Sequence, residues 1–397
     1  MDAYIYAGVR TAFGRFGGAL SSVRPDDLLA HAIAGLLRRA KVPADAVEDV
    51  VVGCANQAGE DSRNVARHAA LLAGLPMEVG GVTVNRLCAS GLAAVLDAAR
   101  AVSLGQGDLM IAGGVESMSR APLVLAKAEA AFAREQKMFD STLGARFPNP
   151  AFVAKFGGDT MPETAANVAR EHGIDREASD QFALRSQQRY AAAAAGGFFK
   201  DEIVDVTIAA RAGPSVIAAD EHPRPDTSAA ALAKLRPLGA DGIVTAGNSS
   251  GINDGAAALL IGNRAVGDRL GLAPIARLRA AAVAGVAPRV MGLGPVPASQ
   301  KALARAGLTL KDMDVIEINE AFASQVLGCL KLLGLPFDDS RVNPNGGAIA
   351  VGHPLGASGA RLALTAVRQL QRGGGRRALV SLCIGVGQGL AAVIERV

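Results

Sequence analysis

Val82-Thr83-Val84-Asn85-Arg86-Leu87-Cys88-Ala89-Ser90-Gly91-Leu92 reads as a β-strand that runs through a tight turn into a helix, with Cys88 at the turn. Alternating Val82 and Val84 suit a strand. Leu92 to Leu104 is apolar nearly all round apart from Asp97 and Arg100, the pattern of a buried helix rather than a surface one. A cysteine at a helix start meets free N–H groups and the positive dipole end, which favour the thiolate. That effect is at most about 2 kcal/mol, or roughly 1.5 pKa units, so a thiol with an ordinary pKa still needs a partner base. A histidine is therefore expected elsewhere in the chain. The competing reading of Cys88 is a small apolar core filler.

The chain has 397 residues, enough for two or three domains, and half are hydrophobic, so a large core can form. Aromatics make up only 4% and tryptophan is absent, which leaves little surface for stacking bases or sugars and argues against a nucleic-acid partner. The net charge of +4 needs no polyanion, and it suits a small phosphate-bearing ligand. Four scattered cysteines, Cys54, Cys88, Cys329 and Cys383, are too few for a disulfide framework and point to a reducing, cytoplasmic setting. Met1 to Tyr6 carries no basic-then-apolar leader and no apolar run reaches membrane-spanning length, so a soluble chain is expected.

The periodicities predict a strand from Ala3 to Val9, a helix from Pro25 to Ala40, a strand from Val50 to Cys54 and a helix from Asn64 to Gly74. Leu109 to Gly114 reads as a short buried strand ending in glycines. The second half repeats this pattern. Ala40 to Val52 matches Ala306 to Ile318 at an offset of 266, Ala89-Ser90-Gly91 matches Ala357-Ser358-Gly359 at 268, and the strand from Leu109 matches that from Leu379 at 270. Each copy alternates strands and helices, which predicts two α/β halves with largely parallel sheets, packed face to face.

The halves are expected at residues 1–268 and 269–397, with the second copy's first element near Leu272. The offset exceeds the length of the second copy, so the first holds an inserted loop domain, about 120–241. It contains predicted helices from Glu163 to Glu171 and from Arg176 to Ala195, and a polar, Pro-containing stretch from Gly213 to Pro225. Such insertions shape binding sites over a rigid scaffold.

Three further stretches carry chemistry. Gly346 to Gly359 places His353 in a glycine-dense turn, before the helix paired by the repeat with the Cys88 helix, and so supplies the expected base. Leu379 to Gly389 ends a buried strand at Cys383, and glycines at 385, 387 and 389 suggest close approach of backbone to a ligand. In Ile316 to Phe322, Asn319 either caps the following helix or faces a carbonyl oxygen that becomes negative. Cys54 and Cys329 read as core residues, and no metal site is expected.

Asn85 to Gly91, Asn319-Glu320-Ala321-Phe322, Gly352-His353-Pro354 and Cys383 to Gly387 resemble the four catalytic loops of the thiolases, in the family's order and spacing and across essentially the whole chain. The resemblance implies a five-layered αβαβα fold, a homodimer or homotetramer, and coenzyme A as a substrate rather than a retained cofactor. It implies Cys88 as the nucleophile that carries the acyl group, His353 as its base and Cys383 as the acid and base at the acetyl carbon. Asn319 would hold a water that forms an oxyanion hole with His353. It also implies Arg224 against the adenine or its phosphate, with Ser250 and Met161 lining the pantetheine tunnel.

Gly53 to Asp61, Asp159 to Thr164 and Gly285 to Gly292 further resemble the thiolases of β-ketoadipate breakdown, implying cleavage of 3-oxoadipyl-CoA with coenzyme A to succinyl-CoA and acetyl-CoA. The substrate's distal carboxylate needs a partner, for which Arg86, Arg146 and Arg289 are candidates. The alternatives are an acetoacetyl-CoA thiolase and a thiolase-like lipid-binding module without turnover.

Overall fold

A computed structural model describes residues 1–209, 213–240 and 242–397. The insertion boundary expected at Asp241 falls outside the described residues. Helix α1 (Pro25–Ala40) shows how the elements arise. Proline stands at its first turn with Asp26 and Asp27, Arg38 and Arg39 stand in its last, and Lys41 ends it in the left-handed conformation at φ 55°. Leu28, Leu29, Ile33 and Leu36 form the stripe that it buries.

The first half contributes strands β1 (Tyr4–Thr11), β2 (Asp49–Gly53), β3 (Val82–Val84), β4 (Leu109–Ser117) and β5 (Asn253–Gly262). The second contributes β6 (Ala276–Gly285), β7 (Val315–Ile318), β8 (Arg377–Ile384) and β9 (Gln388–Arg396). The hydrogen-bonded order is β7-β8-β9-β6-β1-β5-β4-β2-β3. The half-sheets join where β1 and β6 pair at Tyr4 with Arg277 and at Ile5 with Ala276. Each half repeats the other strand for strand, and a single parallel bridge from Ile316 to Val342 stands where the first half has β3.

The expectation of largely parallel sheets is corrected here. β2 runs parallel to β3 and β4, but β5 runs antiparallel to both β4 and β1, and β9 to both β8 and β6. The cause is covalent, because β8 and β9 are joined across Gly385-Val386-Gly387, and so short a link permits only an antiparallel pair. In the first copy the corresponding strands, β4 and β5, end at Ser117 and resume at Asn253, so residues 118–252 occupy the place of that hairpin.

Three apolar cores stack to make five layers. The central core holds helices α3 (Ser90–Ser103) and α8 (Leu355–Gly373) between the half-sheets, with Leu92, Leu96, Leu362 and Leu370 against Met110, Leu259, Val380 and Ile394. One outer core packs α1 and α2 (Val65–Leu72) on the first sheet through Val50, Val52, Leu109 and Ile111. The other packs α6 (Pro295–Ala306) and α7 (Ala323–Leu333) on the second through Ile316, Ile318 and Leu379. The period-2 alternation of β2 is visible here, with Val51 facing the centre and its neighbours facing out. Each such leucine or isoleucine contributes about 1.5–3 kcal/mol by burial. Among the described residues no helix is long and apolar enough to cross a membrane.

The insertion carries α4 (Met161–His172) and α5 (Arg176–Ala195) and is pinned to β1 by a buried charge cluster. Arg10 pairs with Glu202 at 2.9 Å and with Asp220 at 2.6 Å, and Tyr190 donates to Asp220 at 2.7 Å.

Helices α3 and α8 meet almost backbone to backbone. A methyl group at Gly91 would stand 2.4 Å from the Gly356 oxygen, and one at Gly359 would stand 2.3 Å from the Leu92 nitrogen. Replacing Gly91 by Ala must therefore push the helices apart, an overpacking cost of about 1–3 kcal/mol. A lowered melting temperature and reduced acyl transfer are expected, by calorimetry and by assay. Wild-type values of both would refute the packing constraint.

Candidate active site

The nucleophile turn is shaped by its own side chains. Leu87 is held at φ 46°, a conformation costly for leucine. Asn85 Oδ1 accepts from the Leu87 N–H at 2.9 Å, while Asn85 Nδ2 donates to the Ala55 oxygen at 2.9 Å. Ser90 Oγ accepts from the Arg86 N–H at 2.8 Å and donates to the Leu87 oxygen at 2.6 Å. Cys88 thereby faces the β8–β9 turn of the second half, and the N–H groups of Gly385 in that turn and of Cys88 itself bond its sulfur.

The N–H groups at the helix start do favour the thiolate, but they do not suffice, and the need for a partner base is larger than the dipole alone implied. Cys88 keeps part of its surface open, but the protein around it desolvates the sulfur and pushes the thiol up to about 11, against the pull of those two N–H groups. Burial also pushes Cys383 well above its usual value, and the nearby Cys88 raises it further. Cys383 is 1% exposed and packs among Ala165, Met291, Ala321 and Phe322, with Met161 against the same cluster.

His353 follows Gly352, whose φ of +103° and contact with Asn253 exclude a side chain. Asn253 Oδ1 accepts from the His353 N–H at 2.9 Å. The ring's Nδ1 lies 2.6 Å from Ser358 Oγ, and that hydroxyl donates to the Pro354 oxygen at 2.9 Å. With its proton so committed, Ser358 accepts from Nδ1–H, which leaves the lone pair on Nε2. Nε2 faces Asn319 Nδ2 at 3.3 Å. Burial, and then the charge of Arg361, lower His353 to about 3, so the imidazole is neutral at physiological pH. Among the described residues Cys88 and His353 share no hydrogen bond.

Asn319 does not cap a helix, since α7 begins four residues later with Phe322 as its N-cap. Its N–H bonds the Ser381 oxygen at 2.9 Å, and its fully buried amide oxygen has no partner among the described residues. Beside it, Glu320 accepts from Ser186, Asn343 and the Ile349 N–H, tying this loop to α5 and to the histidine loop.

Met161 thus reaches the site, and the Ser250 N–H bonds the Ala321 oxygen at 2.9 Å beside Phe322. Arg224 lies farther out. It is exposed on a cavity of about 300 Å³ that Arg15, Phe16, His222 and Ile252 also line.

The glycines after Cys383 have a different purpose from the one expected. Methyl groups at Gly387 and Gly389 would stand 2.3 Å from the Val286 oxygen and 1.9 Å from the Gly294 oxygen, so the protein's own backbone requires them. Only Gly385 turns to the cysteines. Ser358 and Asn253 were missed from sequence. The Ala-Ser-Gly triplet shared by both copies was the available signal, since Ser90 orders the Cys88 turn just as Ser358 orders the His353 ring.

The profile of the thiolase N-terminal domain matches residues 3–265 and that of the thiolase C-terminal domain matches 272–396. The chain belongs to the thiolase family. Among its relatives, the 3-oxoadipyl-CoA/3-oxo-5,6-dehydrosuberyl-CoA thiolase of Escherichia coli K12 is 58% identical over all of both chains. The beta-ketoadipyl-CoA thiolase of Pseudomonas aeruginosa is 57% identical over 100% of this chain and 99% of that one. The crystal structure of the Bacillus anthracis acetyl-CoA acetyltransferase superposes with a TM-score of 0.93 at 39% identity, covering 100% and 99% of the two chains.

With its thiol near 11, Cys88 in the free protein should react with iodoacetamide about tenfold faster per pH unit from pH 7 to 9, without a plateau, because only the thiolate attacks. Peptide mass spectrometry reads the rate. A plateau below pH 8 would mean that the dipole outweighs burial.

Proposed function

We propose that this protein is an acyltransferase that cleaves 3-oxoadipyl-CoA with coenzyme A to succinyl-CoA and acetyl-CoA through an acyl thioester on Cys88. The observation that carries the proposal is that each of two pairs of reactive groups stands together: Cys88 of the first half with Cys383 and the Gly385 N–H of the second, and the neutral imidazole of His353 with the amide of Asn319. Full-length identity near 58% to a relative of that activity supports the substrate.

In this reading Cys88 attacks the 3-oxo carbonyl and His353 takes its proton. The N–H groups of Cys88 and Gly385 hold the oxyanion on the attacked carbon. The carbon–carbon bond breaks, and the electron pair leaves as the enolate of acetyl-CoA. Its thioester oxygen rests against His353 and a water held by Asn319, while Cys383 protonates its carbon. Cys383 then takes the thiol proton of incoming coenzyme A, whose sulfur displaces succinyl from Cys88, and His353 returns the first proton.

Coenzyme A is consumed as a substrate and is not a retained cofactor. Arg224, Ser250 and Met161 line its path from the outer cavity to the cysteines. The halves 1–268 and 269–397 each supply catalytic loops, with the insertion, about 120–241, as cover. The protein works in the cytoplasm as a homodimer or homotetramer. Exposed Leu71, Leu72, Met77 and the edge residue Val82 support assembly.

Of the three arginines, Arg289 is already paired with Glu171. Arg86 donates to Gln388 Oε1 at 3.4 Å, and Arg146 to Asn56 Oδ1 at 3.0 Å. Both partners are neutral, and among the described residues neither arginine has a carboxylate. Replacing the one that holds the distal carboxylate by Gln should lower kcat/KM for 3-oxoadipyl-CoA by about tenfold or more, from a bond of about 1.5–3 kcal/mol. Turnover of acetoacetyl-CoA should change little. If wild-type protein turns over acetoacetyl-CoA equally well or better, the dicarboxylate reading fails.

Replacing Cys383 by Ser should leave acetylation of Cys88 by acetyl-CoA partly intact and suppress carbon–carbon bond cleavage, since a hydroxyl transfers protons at carbon poorly. Equal loss of both half-reactions in single-turnover assays would refute this division of work.

A further inference from the structure

Glu116 is the penultimate residue of β4, 1% exposed, and takes no part in the chemistry above. With Cys54 and Asp61 it forms a cluster of ligand-type atoms within 4.8 Å of one another. Its lone pairs are already committed. Oε2 accepts from the N–H groups of Ala55 at 3.0 Å and Gly356 at 2.8 Å, and Oε1 accepts from Asn56 N–H at 2.9 Å. Cys54 donates to the Asn56 oxygen at 3.1 Å, and Asp61 Oδ1 accepts from Gly59 N–H at 3.0 Å. The cluster is therefore explained by the backbone that it binds.

That backbone belongs to both halves. Gly356 lies three residues beyond His353, at the start of α8. Ala55 passes the connection on, because its oxygen takes Asn85 Nδ2 and Asn85 Oδ1 takes Leu87 N–H, one residue before Cys88. An unbroken hydrogen-bonded path thus runs from the first turn of the histidine helix, through one carboxylate, to the nucleophile turn. A carboxylate suits this junction because both oxygens accept and neither donates. Burial pushes the carboxyl up to about 7 against the pull of the three N–H groups that converge on it from two loops, so the carboxylate form depends on those bonds.

We propose that Glu116 is a positioning residue for the thiolase reaction, setting the separation of the Cys88 turn from the His353 turn through its simultaneous bonds to Ala55, Asn56 and Gly356. The proposal rests on the thiolytic reading above. An amide at this position must turn its own N–H groups toward at least one of the three donors, and so forces one loop away. Shifts of this size at reacting groups cost up to about a hundredfold in rate.

The test measures kcat and KM for wild type, Glu116→Gln, Asn85→Ala and the double variant, with melting temperatures alongside. Wild-type turnover of 3-oxoadipyl-CoA or acetoacetyl-CoA checks the underlying reading independently. Glu116→Gln should lower kcat about ten- to hundredfold with KM changed less than threefold, because the outer cavity is untouched. Asn85 is exposed, so Asn85→Ala should fold and should also lower kcat. The double variant should lose much less than the product of the two effects, since both cut one path. Wild-type kcat in Asn85→Ala, or multiplicative losses in the double variant, would overturn the proposal. If Glu116→Gln does not fold, Glu116→Asp replaces it: the shorter carboxylate cannot span both loops, and an unchanged kcat there would also overturn it.

Discussion

Two helices touch backbone to backbone at the centre of this protein, and glycine at both crossing positions is what permits it. Gly91 lies under the carbonyl of Gly356, and Gly359 under the amide of Leu92. The surrounding sheets press equally close, since a methyl group at Gly114 would stand 1.9 Å from the same Gly356 oxygen. These approaches fix the starts of α3 and α8 relative to each other. Each start carries a turn, one with Cys88 and the other with His353. The proposed catalytic pair, contributed by distant parts of the chain, is held in place by steric contact between closely packed main chains.

Depth then sets the electrostatics. The thiols are raised and the imidazole lowered by the same desolvation, so the resting site is neutral. In the proposed reaction charge has to be created, and the N–H groups proposed to receive it at the attacked carbon, those of Cys88 and Gly385, already bond the sulfur, while His353 already stands against Asn319. Even Glu317, buried with Arg361 at 3.8 Å, is pushed by burial up to about 8.

Much of this was legible in the residues. Helices from Pro25 to Ala40 and from Arg176 to Ala195 were read at their observed ends, because proline, acidic first turns and glycine stops mark those ends locally. The repeat offsets located the paired turns of Cys88 and His353. Three things were not legible, and each depends on what lies across space. Strand direction in the first half depended on where the chain returns after Ser117, although in the second half the short link at 385–387 already dictates it. The protonation of Cys88 depended on how much protein covers it, which a dipole argument from one helix omits. The purposes of Gly387 and Gly389 depended on carbonyls about a hundred residues earlier in the chain. Glu116 was hidden for the same reason, as all its partners lie far away in sequence.

The exchange of a three-residue turn for residues 118–252 has an evolutionary consequence. Both ends of that segment sit on neighbouring strands, with Ser117 opposite Asp254, so it can lengthen, shorten or be remodelled while the ladder beneath stays in register. The sister turn, at 385–387, has no such latitude, because its amide is aimed at the reacting sulfur. The two copies of the repeat therefore differ at the same point. One tip is held by the sulfur that it faces, and the other can change in length without disturbing the strands beneath it.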